Sequence, residues 1–201
     1  MASAEIRICN LALAVTRSSR TIETFDEDTV EAQVCELHYA TTRDLVLSAA
    51  DWPFARKRVA LVAEGTPPAE WAYRYRIPSD CIAPRGIEDG LVVRTLDERI
   101  PYAIENAGDG NGLVLLMNQE AAVLIYTMQA KNPNIYPAVF VEAFSWKLAS
   151  VIARPLDRDL GLCRELLQTA EAMIGRAAAR SFNQEKHPAS PSSPHFTTRL
   201  N

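Results

Sequence analysis

Apolar positions in the first fifty residues recur at helical spacing. Ile6, Cys9 and Leu13 form a short stripe that ends near Val15. Ser3 is a candidate cap ahead of it, and Glu5 lies in the first turn, where the helix dipole favours an acid. Residues 16–19 interrupt the pattern. A second helix start is expected at Asp28, with Glu31 three residues on in the spacing of a capping box. Val30, Val34, Leu37, Thr41 and Leu45 then form one stripe, and Cys35, Tyr39 and Val46 form another beside it. A helix apolar on two sides is expected to pack between other helices. Asp51-Trp52-Pro53 closes it, because proline disfavours helical geometry in the residue before it.

After a connector at residues 65–68 the period drops to two. Trp71, Tyr73, Tyr75 and Ile77 alternate with Ala72, Arg74 and Arg76, as in a strand with one buried face. Short apolar runs follow at residues 91–95, 102–104, 113–117 and 123–128. Gly86, Gly90, Asn106, Gly108, Gly110 and Gly112 punctuate them as turns, and Asp109-Gly110-Asn111-Gly112 predicts a hairpin. This region reads as an antiparallel sheet or small sandwich inserted between helices. Pro137 is placed in the first turn of the next helix, where its missing N–H costs nothing. Phe140, Phe144, Leu148 and Val151 share a face of that helix, and Pro155 ends it. A last helix is expected from about Asp159 to Ser181. Leu160, Cys163, Leu167, Ala170, Ile174 and Ala177 would form its packing seam, with Arg164, Glu165, Gln168 and Glu171 opposite.

Beyond Asn183 the chain turns polar. Pro188, Ser190, Pro191, Ser192, Ser193 and Pro194 dominate it, and only Phe196 and Leu200 are large and apolar near its end. Composition alone leaves two readings open: an arm that orders on a partner, or a loose terminus. The expected class is therefore α+β. Residues 1–55 and 135–182 would form a helical bundle, residues 56–134 a β-rich insertion, and residues 183–201 an extended C-terminal arm.

The chain has 201 residues, 48% of them apolar, which is enough for a sizeable core. Its formal net charge of -4 provides no overall positive field for nucleic acid. The densest basic group, Arg56-Lys57-Arg58, reads as a solvated turn or a set of pairs with local acids. No apolar run reaches the ~20 residues of a bilayer span. No secretion signal is visible, so folding in the cytoplasm is expected. Cys9, Cys35, Cys81 and Cys163 are far apart in sequence and lack the spacing of a zinc or dithiol site. Those at 9, 35 and 163 read as small buried hydrophobes.

No cluster of chemically competent residues stands out along the chain. There is no Gly-x-Ser-x-Gly, and Gly108, Gly110 and Gly112 lack the Lys-Ser/Thr of a phosphate loop. His38 reads as a packed or boundary residue of the second helix, while His187 and His195 fall in the polar tail. Asp26, Glu27 and Asp28 are explained by a helix start. Asp80, Glu88, Asp89, Asp97 and Glu98 lie at strand edges and loops, and no two stand out as a glycosidase pair. No cofactor, metal site or membrane-binding face is expected.

One set of residues does carry a resemblance. Asn10, Ala12 and Leu13 are similar to the Asn-x-Ala-Leu opening of the head-to-tail adaptor, or tail tubular protein A, family of tailed bacteriophages. Tyr39, Arg43-Asp44 and Leu47, leading into Trp52-Pro53-Phe54, resemble its long helix ending in a Trp-x-Phe step. Tyr73-Arg74-Tyr75-Arg76-Ile77-Pro78-Ser79-Asp80-Cys81 resembles its Tyr-x-Tyr-x-Leu-Pro-x-Asp-Cys segment, with Ile77 in place of leucine. Tyr136-Pro137, Phe140, Ala143, Leu148-Ala149 and Ile152-Ala153 resemble its closing helix. The likeness spans roughly residues 5–180.

The resemblance implies a structural virion protein without catalytic residues. It implies a ring of about twelve copies beneath the portal protein. That ring would extend the DNA channel, let DNA pass without specific binding, and offer a platform for tail, nozzle or fibre proteins. An acidic balance suits such a channel, since tight phosphate contacts would resist passage. The arm, with Phe196 and Leu200 as anchors, is the expected portal contact. Two other classes remain open at this stage. One is a virion-associated cell-wall hydrolase, and the other is a small scaffold that binds peptides along a sheet edge.

Overall fold

The computed structural model describes residues 3–88, 100–108, 110 and 112–183. Helix α1 runs Ala4–Val15 and α2 runs Val30–Ala49. Six strands follow: β1 Arg56–Ala60, β2 Tyr73–Arg76, β3 Cys81–Glu88, β4 Tyr102–Asn106, β5 Leu113–Met117 and β6 Val123–Met128. Helices α3, Ala138–Ile152, and α4, Leu160–Asn183, close the described chain. The class is α+β. No helix among the described residues is long and apolar enough to cross a membrane.

Helix boundaries follow local chemistry. Ser3 caps α1, its hydroxyl accepting from the Ile6 amide at 3.3 Å. The expected start of α2 at Asp28 is corrected by one residue. Thr29 is the cap and accepts from the Ala32 amide at 3.2 Å, while Asp28 takes the Gln33 side-chain amide instead. A hydroxyl in extended backbone one residue before the helix reaches the third amide, and an acid two residues before it does not. Pro137 stands just before the first turn of α3 rather than inside it, and its carbonyl receives the Phe140 and Val141 amides.

Helix α3 is the centre of the helical part, because α1, α2 and α4 all pack on it. Its Phe140, Phe144, Leu148, Ala149 and Ile152 are buried with Cys9, Leu13, Cys35, Tyr39 and Leu47. The two-sided burial expected of α2 is not found. Cys35, Tyr39, Thr42 and Val46 face the core, whereas Val30, Leu37 and Leu45 are 57%, 71% and 50% exposed. The packing seam of α4 also differs from expectation. Leu162, Leu166, Ala170 and Ala177 are buried, while Leu160 and Leu167 face out. Positions 162, 166 and 170 recur every four residues and stay on one face, and 160 and 167 fall off it.

The strands form two three-stranded antiparallel sheets, ordered β1-β6-β3 and β2-β5-β4. They share one core in which Tyr75, Leu115 and Met117 of one sheet meet Leu124 and Tyr126 of the other. Met128 packs against both this core and the helical one. The hairpin expected at residues 109–112 joins β4 to β5, with Asn106 opposite Leu113. Gly110 and Gly112 take φ of 76° and 115°, a region that bulkier residues avoid. Arg56-Lys57-Arg58 is not a turn. It is edge strand β1, and its cations pair with Asp51, Asp80 and Glu88. The run expected at residues 91–95 lies outside the described residues.

Candidate functional site

The residues that carried the family resemblance lie in four separate stretches of chain; Trp52, Phe54, Tyr136 and Phe140 from two of them meet at one joint, while Tyr73, Tyr75 and Ile77 lie in the core between the sheets. In α1, Asn10 clasps the backbone of Ile22. Its side-chain amide donates to the Ile22 carbonyl and accepts from the Ile22 amide, each at 2.9 Å. That pins the loop between α1 and α2 against α1.

Trp52 sits at the end of α2, fully buried. Its indole N–H donates to the Val46 carbonyl at 2.8 Å and satisfies one of the acceptors left open at a helix C-terminus. Its ring meets Phe140 edge-on at 5.0 Å. Phe54 packs on Phe140 at 4.8 Å and on Tyr136 at 5.6 Å. Tyr39 lies 5.1 Å from Phe144. Each such aromatic pair is worth about 0.5–1.5 kcal/mol beyond its buried area. The Tyr136 hydroxyl donates to the Ala130 carbonyl at 2.6 Å, and burial pushes this phenol up to about 12.

A polar thread runs beside the aromatic cluster. Buried Arg43 donates to Asp44 at 2.8 Å, and Asp44 accepts from the Gln129 side chain at 2.6 Å. The Gln129 amide then donates to the Asp80 carbonyl at 2.7 Å. The Asp80 carboxylate accepts from the Tyr126 hydroxyl and from Lys57 Nζ, both at 2.9 Å. Lys57 also lies 5.9 Å from the centre of the Tyr126 ring. Burial opposes the charge on Asp80, but the bonds from Lys57 and Tyr126 outweigh it and hold this carboxyl below its ordinary value.

A pH effect follows. Since the folded pKa lies below the unfolded one, this stabilisation is present at neutral pH and is lost as pH falls through the folded value. Asp80→Asn is therefore expected to be less stable than the wild type at pH 7. In thermal melts the gap should close as the buffer is taken below about 4, the ordinary carboxylate range. A gap that is constant across that range would rule out the charged thread as the cause.

Arg85 was not singled out by the sequence, yet it ties the two parts together. From β3 its guanidinium donates to the Thr127 hydroxyl at 2.7 Å and to the carbonyls of Leu47, Ser48 and Ala50 at 3.1, 3.0 and 2.5 Å. These carbonyls are the open acceptors at the end of α2, where the helix dipole also favours a cation.

The other residues weighed for chemistry have structural uses. Glu27 accepts from the Glu23 and Thr24 amides, and these bonds hold its carboxyl below the usual range. Glu88 pairs with Arg58 at 3.2 Å, and His38 is half-buried on α2. Cys9 and Cys35, distant in sequence, form a hydrogen-bonded thiol pair in the core that pushes the Cys9 thiol up. All four cysteines are free. Among the described residues no group of His, Cys, Asp and Glu is arranged to hold a metal ion. Asp89, Asp97, Glu98, His187, His195 and the two expected anchors, Phe196 and Leu200, lie outside the described residues.

One surface groove adjoins the joint. It has a volume of about 460 Å3 and runs between α1 and α3, with Leu11, Val15, Val141 and Trp146 along it and Arg7 and Glu142 at its rim. No protein-family model matches the chain, and no curated protein is similar to it in sequence.

Proposed function

We propose that this chain is a head-to-tail adaptor of a tailed bacteriophage. In this reading about twelve copies form a ring beneath the portal, as closed cyclic symmetry allows. The ring extends the DNA channel and carries the tail, nozzle or fibre proteins below. Its role is structural rather than catalytic, and it needs no cofactor. The helices act as the bundle that packs in the ring, the paired sheets as the insertion it displays, and residues 183–201 as the arm that reaches the portal.

The observation that supports this reading best is the packing of motif residues on one another. Trp52, Phe54, Tyr136 and Phe140 pack on one another where the end of α2 meets the start of α3, and Gln129 links Asp44 to Asp80 beside them, while Asn10 holds the α1–α2 loop and Tyr75 and Ile77 lie in the sheet core. Each motif is short, and chance matches to short motifs are common. Chance matches would have no reason to pack on one another. A family conserved for assembly, with no reaction to perform, would keep residues that set the angle between a bundle and its insertion.

The test uses a candidate portal protein from the same genome, assembled as a ring and immobilised on a sensor surface. The full chain should bind it. Removal of residues 184–201 should weaken binding at least tenfold, a loss of about 1.4 kcal/mol for each site. Phe196→Ala with Leu200→Ala should reproduce most of that loss. Unchanged binding by the truncated chain would remove the arm from the account. No binding by the full chain would remove the adaptor reading itself.

A further inference from the structure

We propose that Cys9 and Cys35 form a redox staple: peroxide oxidises this buried thiol pair to a disulfide that ties α1 to α2, and a dithiol reductant opens it again. The inference stands apart from the adaptor reading, because it concerns two side chains that the adaptor reading does not use.

Cys9 lies on α1 and Cys35 on α2. Both are 0% exposed, and both belong to the helical core with Leu13, Tyr39 and Phe144. A buried cysteine ordinarily serves as a small hydrophobe. These two are in contact with each other: the Cys9 S–H donates to the Cys35 sulfur. The other two cysteines are placed differently. Cys163, on α4, turns its thiol to the Arg158 carbonyl at 3.6 Å, and Cys81 stands at the start of β3. All four are free thiols, and Cys9 with Cys35 is the pair that the fold brings together.

The backbone suits a cross-link at this place. A disulfide needs Cα atoms about 4.4–6.8 Å apart. Helices α1 and α2 bring Cα atoms within 8 Å of one another, and they do so over a short stretch, since each packs mainly on α3. A small shift that closes the S–S bond therefore disturbs no long interface between them. Asn10, the neighbour of Cys9, already fastens the α1–α2 loop through Ile22. The staple would add a covalent tie where the two helices otherwise hold each other least.

The two sulfurs have different parts in the reaction. The hydrogen bond from Cys9 holds the Cys35 thiol below its ordinary value, against burial and the nearby Glu31. The same bond, with burial, pushes the Cys9 thiol up. Cys35 is therefore the sulfur that attacks and Cys9 the one that resolves. The Cys35 thiolate attacks one oxygen of hydrogen peroxide; the O–O bond breaks, Cys35 becomes a sulfenic acid, and hydroxide leaves. The Cys9 sulfur then attacks the Cys35 sulfur. The S–O bond breaks, the S–S bond forms, and the departing oxygen leaves as water with the Cys9 proton. The first hydroxide becomes water with the proton that Cys35 gave up. Two thiols are oxidised, and one peroxide is reduced to two waters. Burial shapes the outcome as well. Peroxide is uncharged and close to water in size, so small openings of the core admit it. The sulfenic acid already has a thiol against it before a second peroxide arrives, which stops the oxidation short of sulfinic acid.

Peptide mapping of the wild-type full chain tests the staple, so no variant has to fold. The protein is treated with increasing hydrogen peroxide and then unfolded. Its remaining thiols are alkylated, and it is digested without reductant for mass spectrometry. One cross-linked pair of peptides should appear, joining Cys9 to Cys35, lighter by two hydrogens than the separate peptides and abolished by dithiothreitol. The cross-link closes the loop between residues 9 and 35 and so restricts the unfolded chain. The oxidised protein should melt at least about 4 °C above the reduced one, and dithiothreitol should remove the difference.

Recovery of Cys9 and Cys35 as alkylated thiols, at a peroxide dose that already oxidises half-buried Cys163, would overturn the proposal. Sulfinic acid at either residue would do the same, as would a cross-link that joins any other pair of cysteines. A Cys9–Cys35 cross-link with no rise in the melting midpoint would show a strained bond, and would overturn the staple as a tie between the helices.

Discussion

Trp52→Ala should lower stability by roughly 3–5 kcal/mol, the range for deleting a buried aromatic side chain. Trp52 is fully buried, is in ring contact with Phe140 and Phe54, and supplies the indole N–H that satisfies the Val46 carbonyl. Its removal opens a cavity beneath the end of α2 and leaves that carbonyl unpaired. Against a total stability of about 5–15 kcal/mol, the loss would be a large share. It should lower the melting midpoint by roughly 6–20 °C at about 2–4 °C per kcal/mol. Trp52→Phe separates the two contributions. It keeps most of the packing and loses only the donor, so it should cost about 1–2 kcal/mol. Urea unfolding of both variants checks the order. Equal losses would mean that the hydrogen bond, and not ring packing, holds the joint.

Arg85→Ala is expected to cost about 3 kcal/mol, because one side chain serves four acceptors. The bonds share a donor group and so do not add in full. Arg85→Lys keeps a cation at the end of α2 but cannot fork between Thr127 and the helix carbonyls, so it should recover less than half of the loss. Hydrogen exchange gives the local readout. Amides in the last turn of α2 should lose protection in Arg85→Ala while those in the middle of α3 keep theirs. A loss below about 1 kcal/mol, with unchanged exchange, would mean that the aromatic cluster alone fixes the helix to the sheet.

These two residues differ in how far the sequence disclosed them. Trp52 stands at a helix stop marked by Pro53, in a run of aromatics, and its role could be anticipated. Arg85 stands between Pro84 and Gly86, where breakers conceal a strand. Strand β3 tolerates Pro84 because it is an edge of its sheet and is bulged at that point. Strand β1 was hidden for another reason. Three consecutive cations do not look like a strand, but an edge strand can be charged when acids from neighbouring segments reach its side chains.

Helix existence and boundaries were legible from caps and prolines, to within one residue at α2. Helix orientation was less so. In α2 the more hydrophobic stripe faces out, and the one with Cys35, Tyr39 and Val46 faces in. Periodicity locates a stripe but cannot say whether its partner is the chain's own core or another molecule. The four motif segments were visible as words, while the links between the end of α2 and the sheet depend on Gln129 and Arg85, which belong to none of them. The groove between α1 and α3 was not foreseen, since it arises from side chains of two helices more than 120 residues apart.

The most direct test of the central claim is molar mass by light scattering after gel filtration, for the full chain alone, for a candidate portal ring from the same genome alone, and for the mixture. The adaptor account predicts one heavier peak in the mixture whose added mass equals about twelve copies of the chain, the number that matches cyclic symmetry one-to-one. Two unshifted peaks, from a chain still folded by circular dichroism, would contradict it.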